Sequence, residues 1–294
     1  MIISSKNSCI KIISKTIDAR VLKKDILNNN LIFKFIPDLG FAPRKKKIIL
    51  RIENKNKLKI KFSLKKPFIY GRYQKDFSST DIIVLCEYLL ERLRQEDGIC
   101  SFHSSSVYKK NKAILFFANL TGAGKTSVAL YLHKKYKYKI FSDEKTLIDI
   151  KKIKLVGQTK KIFLEEKTKK TLGSFNLKFP SVINVKKTGN KDCCLLIIPV
   201  IVKSASIPIV FKYKPNQLEW SLYEEVSKDV RLINGLIFNL SYPLPSLDNH
   251  QLASKRKYFI KIISQKIPCY YVLGKLSDVA REVDQIFADN CLNS

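Results

Sequence analysis

Acidic residues are scarce in this chain: 25 Asp and Glu face 55 Lys and Arg, a formal net charge of +30 over 294 residues. The lysines are scattered and often interleaved with Ile and Asn, so no single basic arm is formed. Two readings of the charge stay open. One is a genome-wide bias towards Lys, Ile and Asn codons; the other is a footprint for an anionic partner such as RNA, an acidic protein or a phosphorylated metabolite. Nucleic acid is therefore a candidate partner, though not the favoured one. Metal-ligand spacing is missing too. The seven cysteines (Cys9, Cys86, Cys100, Cys193, Cys194, Cys269, Cys291) form no CxxC, and no His cluster accompanies them, which predicts reduced, mostly buried thiols. Long apolar runs are absent: the longest, Cys193 to Val202, contains Pro199 and reaches about half the length of a membrane-spanning helix. Met1–Lys6 does not develop into the apolar stretch of a signal peptide. No internal repeat and no long low-complexity segment interrupts the chain. A soluble, cytoplasmic, globular protein without a membrane partner is expected, and a hydrophobic content of 45% suffices for a sizeable core.

What is present reads as α/β in two parts, an α+β lobe over Met1–Gln95 and a larger domain over Glu96–Ser294. In the lobe, Lys47–Lys66 alternates apolar and charged residues about a polar break, which predicts a β-hairpin. Asp81–Arg94 carries Ile82, Leu85, Leu89 and Leu93 at helical spacing, with Thr80 or Asp81 as cap. In the larger part, Ser101–Tyr108 and Ala113–Ala118 are expected as strands joined by the turn Lys109–Lys112. A helix from Lys125 to Tyr136, a strand Tyr138–Phe141 and a strand Thr146–Ile150 follow. Later come a buried strand Leu195–Val202, helices Gln217–Ile233 and Asn249–Lys266, a strand Cys269–Leu273, and a helix Ser277–Ala288 capped by Ser277.

The segment Ala113-Ile-Leu-Phe-Phe-Ala-Asn119-Leu-Thr121-Gly122-Ala123-Gly124-Lys125-Thr126 carries the chemistry. A strand feeds a glycine-bearing loop that opens a helix, so backbone N–H groups and the positive end of the helix dipole converge on one anion. Gly122 and Gly124 remove Cβ atoms where the backbone must approach phosphate oxygens or adopt positive φ. Lys125 is placed to bridge the β- and γ-phosphates and Thr126 to ligate Mg²⁺, with Asn119, Thr121, Ala123 and Ser127 completing the nucleotide-binding stretch. The full pattern has glycine where Asn119 stands; Asn tolerates left-handed backbone best among the other residues, so the turn is expected to survive. A lysine in the first helical turn opposes the dipole, which favours an anion at this position over an ordinary solvated lysine.

Asp143-Glu144 closes the strand after the phosphate-loop helix. If that strand lies beside Ala113–Ala118, both acids emerge at the edge where ligands bind in open α/β sheets. One carboxylate can then accept the proton of an attacking hydroxyl while the other helps to hold Mg²⁺. His103, on the strand before the loop strand, is either a structural core histidine or a group near the phosphates. His133 and His250 read as surface residues.

Taken in order, His-Ser-Ser-Ser-Val, a Lys-rich turn, Ala-Ile-Leu-Phe-Phe, Thr-Gly-Ala-Gly-Lys-Thr, a helix and Ser-Asp-Glu resemble the HPr kinase/phosphorylase superfamily, above all its shorter HPr-kinase-like members. The same nucleotide-binding core occurs in ATP-dependent phosphoenolpyruvate carboxykinase. The resemblance covers Cys100–Ile150, and Ile267–Leu273 is similar to the family's late Pro-bearing strand. It implies a P-loop core of this type, Lys125 and Thr126 on the triphosphate and Mg²⁺, Asp143 as catalytic base, and Glu144 as metal-side acid. A segment of the Glu-Ile-Arg-Gly-Leu-Gly type is absent downstream of the acids, so a small hydroxylated metabolite or another protein is expected as acceptor rather than HPr. The expected function is an ATP- and Mg²⁺-dependent kinase acting on a hydroxyl, with Asp143, Lys125 and His103 as catalytic residues. The alternatives are a nucleotide-dependent RNA-binding protein or RNA kinase, and a non-catalytic nucleotide-binding scaffold. The N-terminal lobe is expected to cover the site or to serve homo-oligomerisation.

Overall fold

A computed structural model describes residues 1–118, 122–231, 236–237 and 240–292. The chain is mixed α/β and divides into two units, residues 1–100 with 226–255 and residues 101–225 with 256–294. The first unit thus extends beyond Gln95 and takes in a distant segment that the sequence reading assigned to the larger domain. The reason is hydrogen-bonding demand along one helix. Gln95 Nε2 donates to the Val226 carbonyl at 2.8 Å, Arg92 Nε to Leu247 at 2.8 Å, and Lys255 Nζ to Glu96 at 2.5 Å. Carbonyls that would otherwise be unsatisfied find donors in this way.

In the first unit a mixed sheet orders its strands as Leu39–Gly40, Ile2–Ser5, Ser8–Ile13, Lys46–Asn54, Phe68–Gly71 and Lys59–Lys61. Lys46–Asn54 and Lys59–Lys61 are not a hairpin. Phe68–Gly71 lies between them, parallel to the first and antiparallel to the second. Alternation shows that a strand exists but not which strand it pairs with. The helix Ser79–Glu96 starts earlier than periodicity suggests, because Ser78 is the cap and Asp81 accepts its backbone N–H at 2.8 Å. That is half of a capping box. The helix buries charge as well as Leu85 and Leu89. Arg94 bonds Glu87 at 2.6 Å, Glu91 at 2.8 Å and Ser5 Oγ at 3.0 Å, with all three charged side chains fully buried.

The second unit is built on a mixed sheet, whose strands here are β1 (Ser104–Lys109), β2 (Lys112–Phe117), β3 (Lys139–Ser142), β4 (Lys191–Ile201), β5 (Ile209–Lys212) and β6 (Cys269–Gly274). Their order is β3-β1-β2-β4-β6-β5. Strands β2, β4 and β6 run parallel; β1 is antiparallel to both β2 and β3, so β3 points the same way as β2. Helices α1 (Lys125–Lys135) and α2 (Leu276–Phe287) pack together on the sheet. Leu130, Leu132, Val279, Val283 and Phe287 from the helices meet Ile114, Phe116, Leu195 and Ile197 in one buried cluster. Strand α/β texture of this kind leaves near-continuous apolar runs on the central strands. Lys275, not Ser277, is the N-cap residue of α2. The helices expected over Gln217–Ile233 and Asn249–Lys266 are observed at Pro215–Arg231 and His250–Lys266. The cysteines are free; Cys193 is buried and Cys194 half-buried. No helix among the described residues is long and apolar enough to cross a membrane.

Candidate functional site

The candidate loop leaves β2 at Phe117 and enters α1 at Lys125. Asn119 and Thr121 lie outside the described residues. Gly122 has φ +79° and Gly124 φ +100°, values that an L side chain rarely adopts. Gly124 is constrained a second time, since a Cβ there would fall 2.2 Å from Ile201 Cγ1 at the end of β4. The seam is closed by Ile201 N–H donating to the Ala123 carbonyl at 3.2 Å. Lys125 is buried, at 8% exposure. Ser127 is likewise buried, while Thr126 is half-buried. The first N–H groups of an α-helix have no partner within it and carry the positive end of its dipole.

The acid pair meets the loop at one carboxylate oxygen. Asp143 Oδ1 accepts from Thr126 Oγ1 at 2.9 Å and also from Ser105 Oγ; the two hydroxyls are 3.4 Å apart. The sequence reading made the shared sheet edge conditional on the acid strand lying beside the loop strand. In the structure β1 stands between them and supplies Ser105. The consequence at the sheet edge is unchanged, because β2 and β3 run in the same direction and end on the same side.

Asp143 is held by its backbone as well. Thr159 Oγ1 accepts from Asp143 N–H at 3.2 Å and donates to the Asp143 carbonyl at 2.8 Å. Thr159 N–H reaches Ser142 Oγ at 2.9 Å. Lys145 N–H donates to the Asp143 carbonyl at 2.8 Å around Glu144, whose φ is +66°. An i to i+2 hydrogen bond about a residue with positive φ is the γ-turn pattern, which is strained for a residue with a side chain. Such strain persists only where the surroundings over-determine it, here through Thr159 and through Ser104 N–H on the Glu144 carbonyl at 3.2 Å. Burial pushes the Asp143 carboxyl above the usual carboxylate range, and the negative charge of Glu144 adds to this; the hydroxyls of Ser105 and Thr126 pull in the opposite direction. A carboxylate raised in this way is a better proton acceptor near neutral pH.

Sequence reasoning located Lys125, Thr126 and Asp143, and the structure brings Thr126 and Asp143 into contact. It did not assign roles to Ser105, Thr159 or Lys167. Three consecutive serines in a strand that is otherwise core were the available signal for Ser105, since buried hydroxyls need partners. Thr159 is sixteen residues from Asp143 and carries no local mark. Lys167 Nζ lies 3.6 Å from where a Cβ on Gly122 would sit, which adds a second amine beside the loop. His103 falls in the break between strand Ile99–Phe102 and β1 rather than within one strand. Its backbone N–H donates to Glu225 Oε1 at 2.7 Å. A ring nitrogen of His133 lies 2.7 Å from the Tyr138 carbonyl, and His250 is exposed. Among the described residues no group of three His, Cys, Asp or Glu side chains is clustered as a metal site. Comparison with protein-family models gives no match, and a search of curated proteins gives none either.

Proposed function

We propose that this site binds ATP with Mg²⁺ and transfers the terminal phosphoryl group to a hydroxyl of a small molecule or a protein. The observation that carries the reading is the hydrogen bond of Thr126 to Asp143 at 2.9 Å. It joins the first turn of α1, directly behind two positive-φ glycines, to a buried acid that precedes the strained Glu144. An ordinary glycine turn before a helix has no use for such an acid. The order of motifs shared with HPr-kinase-like proteins supports the same assignment.

In this reading the N–H groups about Gly122 and Gly124 and the Lys125 amine bind the β- and γ-phosphates. Lys167 lies where it can add charge beside the loop. The residues fit Mg²⁺ through hard oxygens, namely Thr126 Oγ1 and the carboxylate of Glu144; the ion would neutralise charge on the transferring group. Ser105 and Thr126 fix Asp143 through Oδ1, which leaves Oδ2 to take the proton of the attacking hydroxyl. Thr159 clamps the Asp143 backbone while Ser105 and Thr126 hold its side chain, so little reorganisation is required at the moment of reaction.

The test is a transfer screen with labelled ATP against amino acids, sugars, nucleosides and lysate proteins. Lys125→Ala is expected to remove nucleotide binding. Asp143→Asn is expected to retain ATP while transfer falls at least about a hundredfold. Unchanged turnover in Asp143→Asn would remove the base from the mechanism.

A further inference from the structure

The charge that the catalytic reading leaves unused has a structural counterpart in the second unit. Strand β5 is an edge strand, paired only with β6 among the described residues, and all four of its residues are exposed. Lys212 is the one charge on this edge, beside three apolar residues, so the strand is guarded only at its end. Ile209 is 52% exposed and Phe211 45%. Trp220, on the following helix Pro215–Arg231, is 70% exposed.

The rings are arranged rather than scattered. Phe211 stacks on Tyr213 with centroids 5.4 Å apart and planes 12° apart. It also stacks across the strand pair on Tyr271, at 4.9 Å and 22°. Beside this platform lies an open cleft of about 460 Å³, lined by Phe211, Tyr213, Asn216, Gln217, Trp220 and Ser221. Gln217 Oε1 and Asn216 Oδ1 accept backbone N–H groups at 3.1 and 2.9 Å, which turns their amide NH₂ donors away from those bonds. The surrounding segment contains no acid from Cys193 to Leu218, and Lys203, Lys212 and Lys214 on it are exposed. Glu219, half-buried next to Trp220, is the nearest acid in sequence.

Flat exposed rings with amide donors beside them and lysines interleaved are the elements of sequence-tolerant recognition of unpaired bases. The rings stack on bases while the cations follow the phosphates. We propose that the face formed by β5, Tyr271 and Trp220 binds single-stranded nucleic acid. A second copy of the chain fits less well. Each copy would bring Lys203, Lys212 and Lys214 to such a contact with no acid between Cys193 and Leu218 to meet them, so two of these faces repel each other through their like charge. A duplex offers its phosphates to the lysines but keeps its base faces stacked away from the rings.

Trp220 is the single tryptophan of the chain, so its fluorescence reports on this face alone. The full-length protein is titrated with an oligouridylate and an oligothymidylate, each about twelve nucleotides long, and with a duplex of equal length. The expected result is quenching of Trp220 by both single strands and weaker binding of the duplex without quenching. By anisotropy of labelled oligouridylate, Phe211→Ser and Trp220→Ser are each expected to weaken binding by roughly fivefold or more, the effect of one lost base–ring stack. Both side chains are exposed, and unchanged circular dichroism verifies that the variants fold. Strand binding without quenching, or with unchanged affinity in both variants, would overturn the proposal and assign the affinity to dispersed lysines. A Trp220 emission that shifts to the blue with protein concentration, together with a dimeric mass, would equally overturn it in favour of self-association.

Discussion

Replacing Gly124 by alanine imposes two separable costs. The backbone at φ +100° strains any L residue by about 1–2 kcal/mol. The new methyl group would also sit 2.2 Å from Ile201 Cγ1, and relieving such overpacking costs about 1–3 kcal/mol. The sum, about 2–5 kcal/mol, corresponds to a fall in Tm of about 2–4 °C for each kcal/mol in a domain of this size. The second cost belongs to a pair of residues, so a double-mutant cycle isolates it. Ile201→Ala alone is expected to cost about 1–3 kcal/mol, since Ile201 is only half-buried. With Ile201→Ala in place the alanine at 124 gains room, and the double variant should be more stable than the sum of the singles by about 1–3 kcal/mol. Urea titration of the four proteins measures the cycle. Additivity within about 0.5 kcal/mol would refute the claim that β4 confines the loop at Gly124. ATP affinity supplies a second axis. The double variant keeps the φ strain, so its stability should recover further than its nucleotide binding.

Two further predictions concern buried charge. The Ser105 hydroxyl holds the Asp143 carboxyl down against burial and the Glu144 charge. Ser105→Ala therefore raises the Asp143 pKa further; because a general base is lost on protonation, the acidic limb of the kcat/KM profile is expected to move to higher pH, and a limb that stays fixed or moves down would contradict this assignment. In the first unit, Arg94→Met leaves Glu87 and Glu91 buried without their guanidinium. The expected loss is about 3–5 kcal/mol of unfolding free energy, which chemical denaturation measures; a loss below about 1 kcal/mol would contradict it.

The sequence alone determined the units that depend on neighbours along the chain. The strand, glycine loop and helix around Gly122–Thr126 were legible because strand–turn–helix geometry is local, and the acid pair was legible because Asp143 closes the next strand. Helix Ser79–Glu96 was legible from the spacing of Ile82, Leu85 and Leu89, although its cap was misplaced, since Ser78 and Asp81 act as a pair. Partnership across distance was left to the tertiary structure. Strand order decided that β1 stands between β2 and β3, and thereby made Ser105 a contact of Asp143. The close approach of β4 decided why residue 124 must be glycine. The demand of buried side chains for carbonyl partners drew residues 226–255 into the first unit. Local propensity is written residue by residue, whereas pairing depends on which surfaces and unsatisfied polar groups meet when the chain closes on itself.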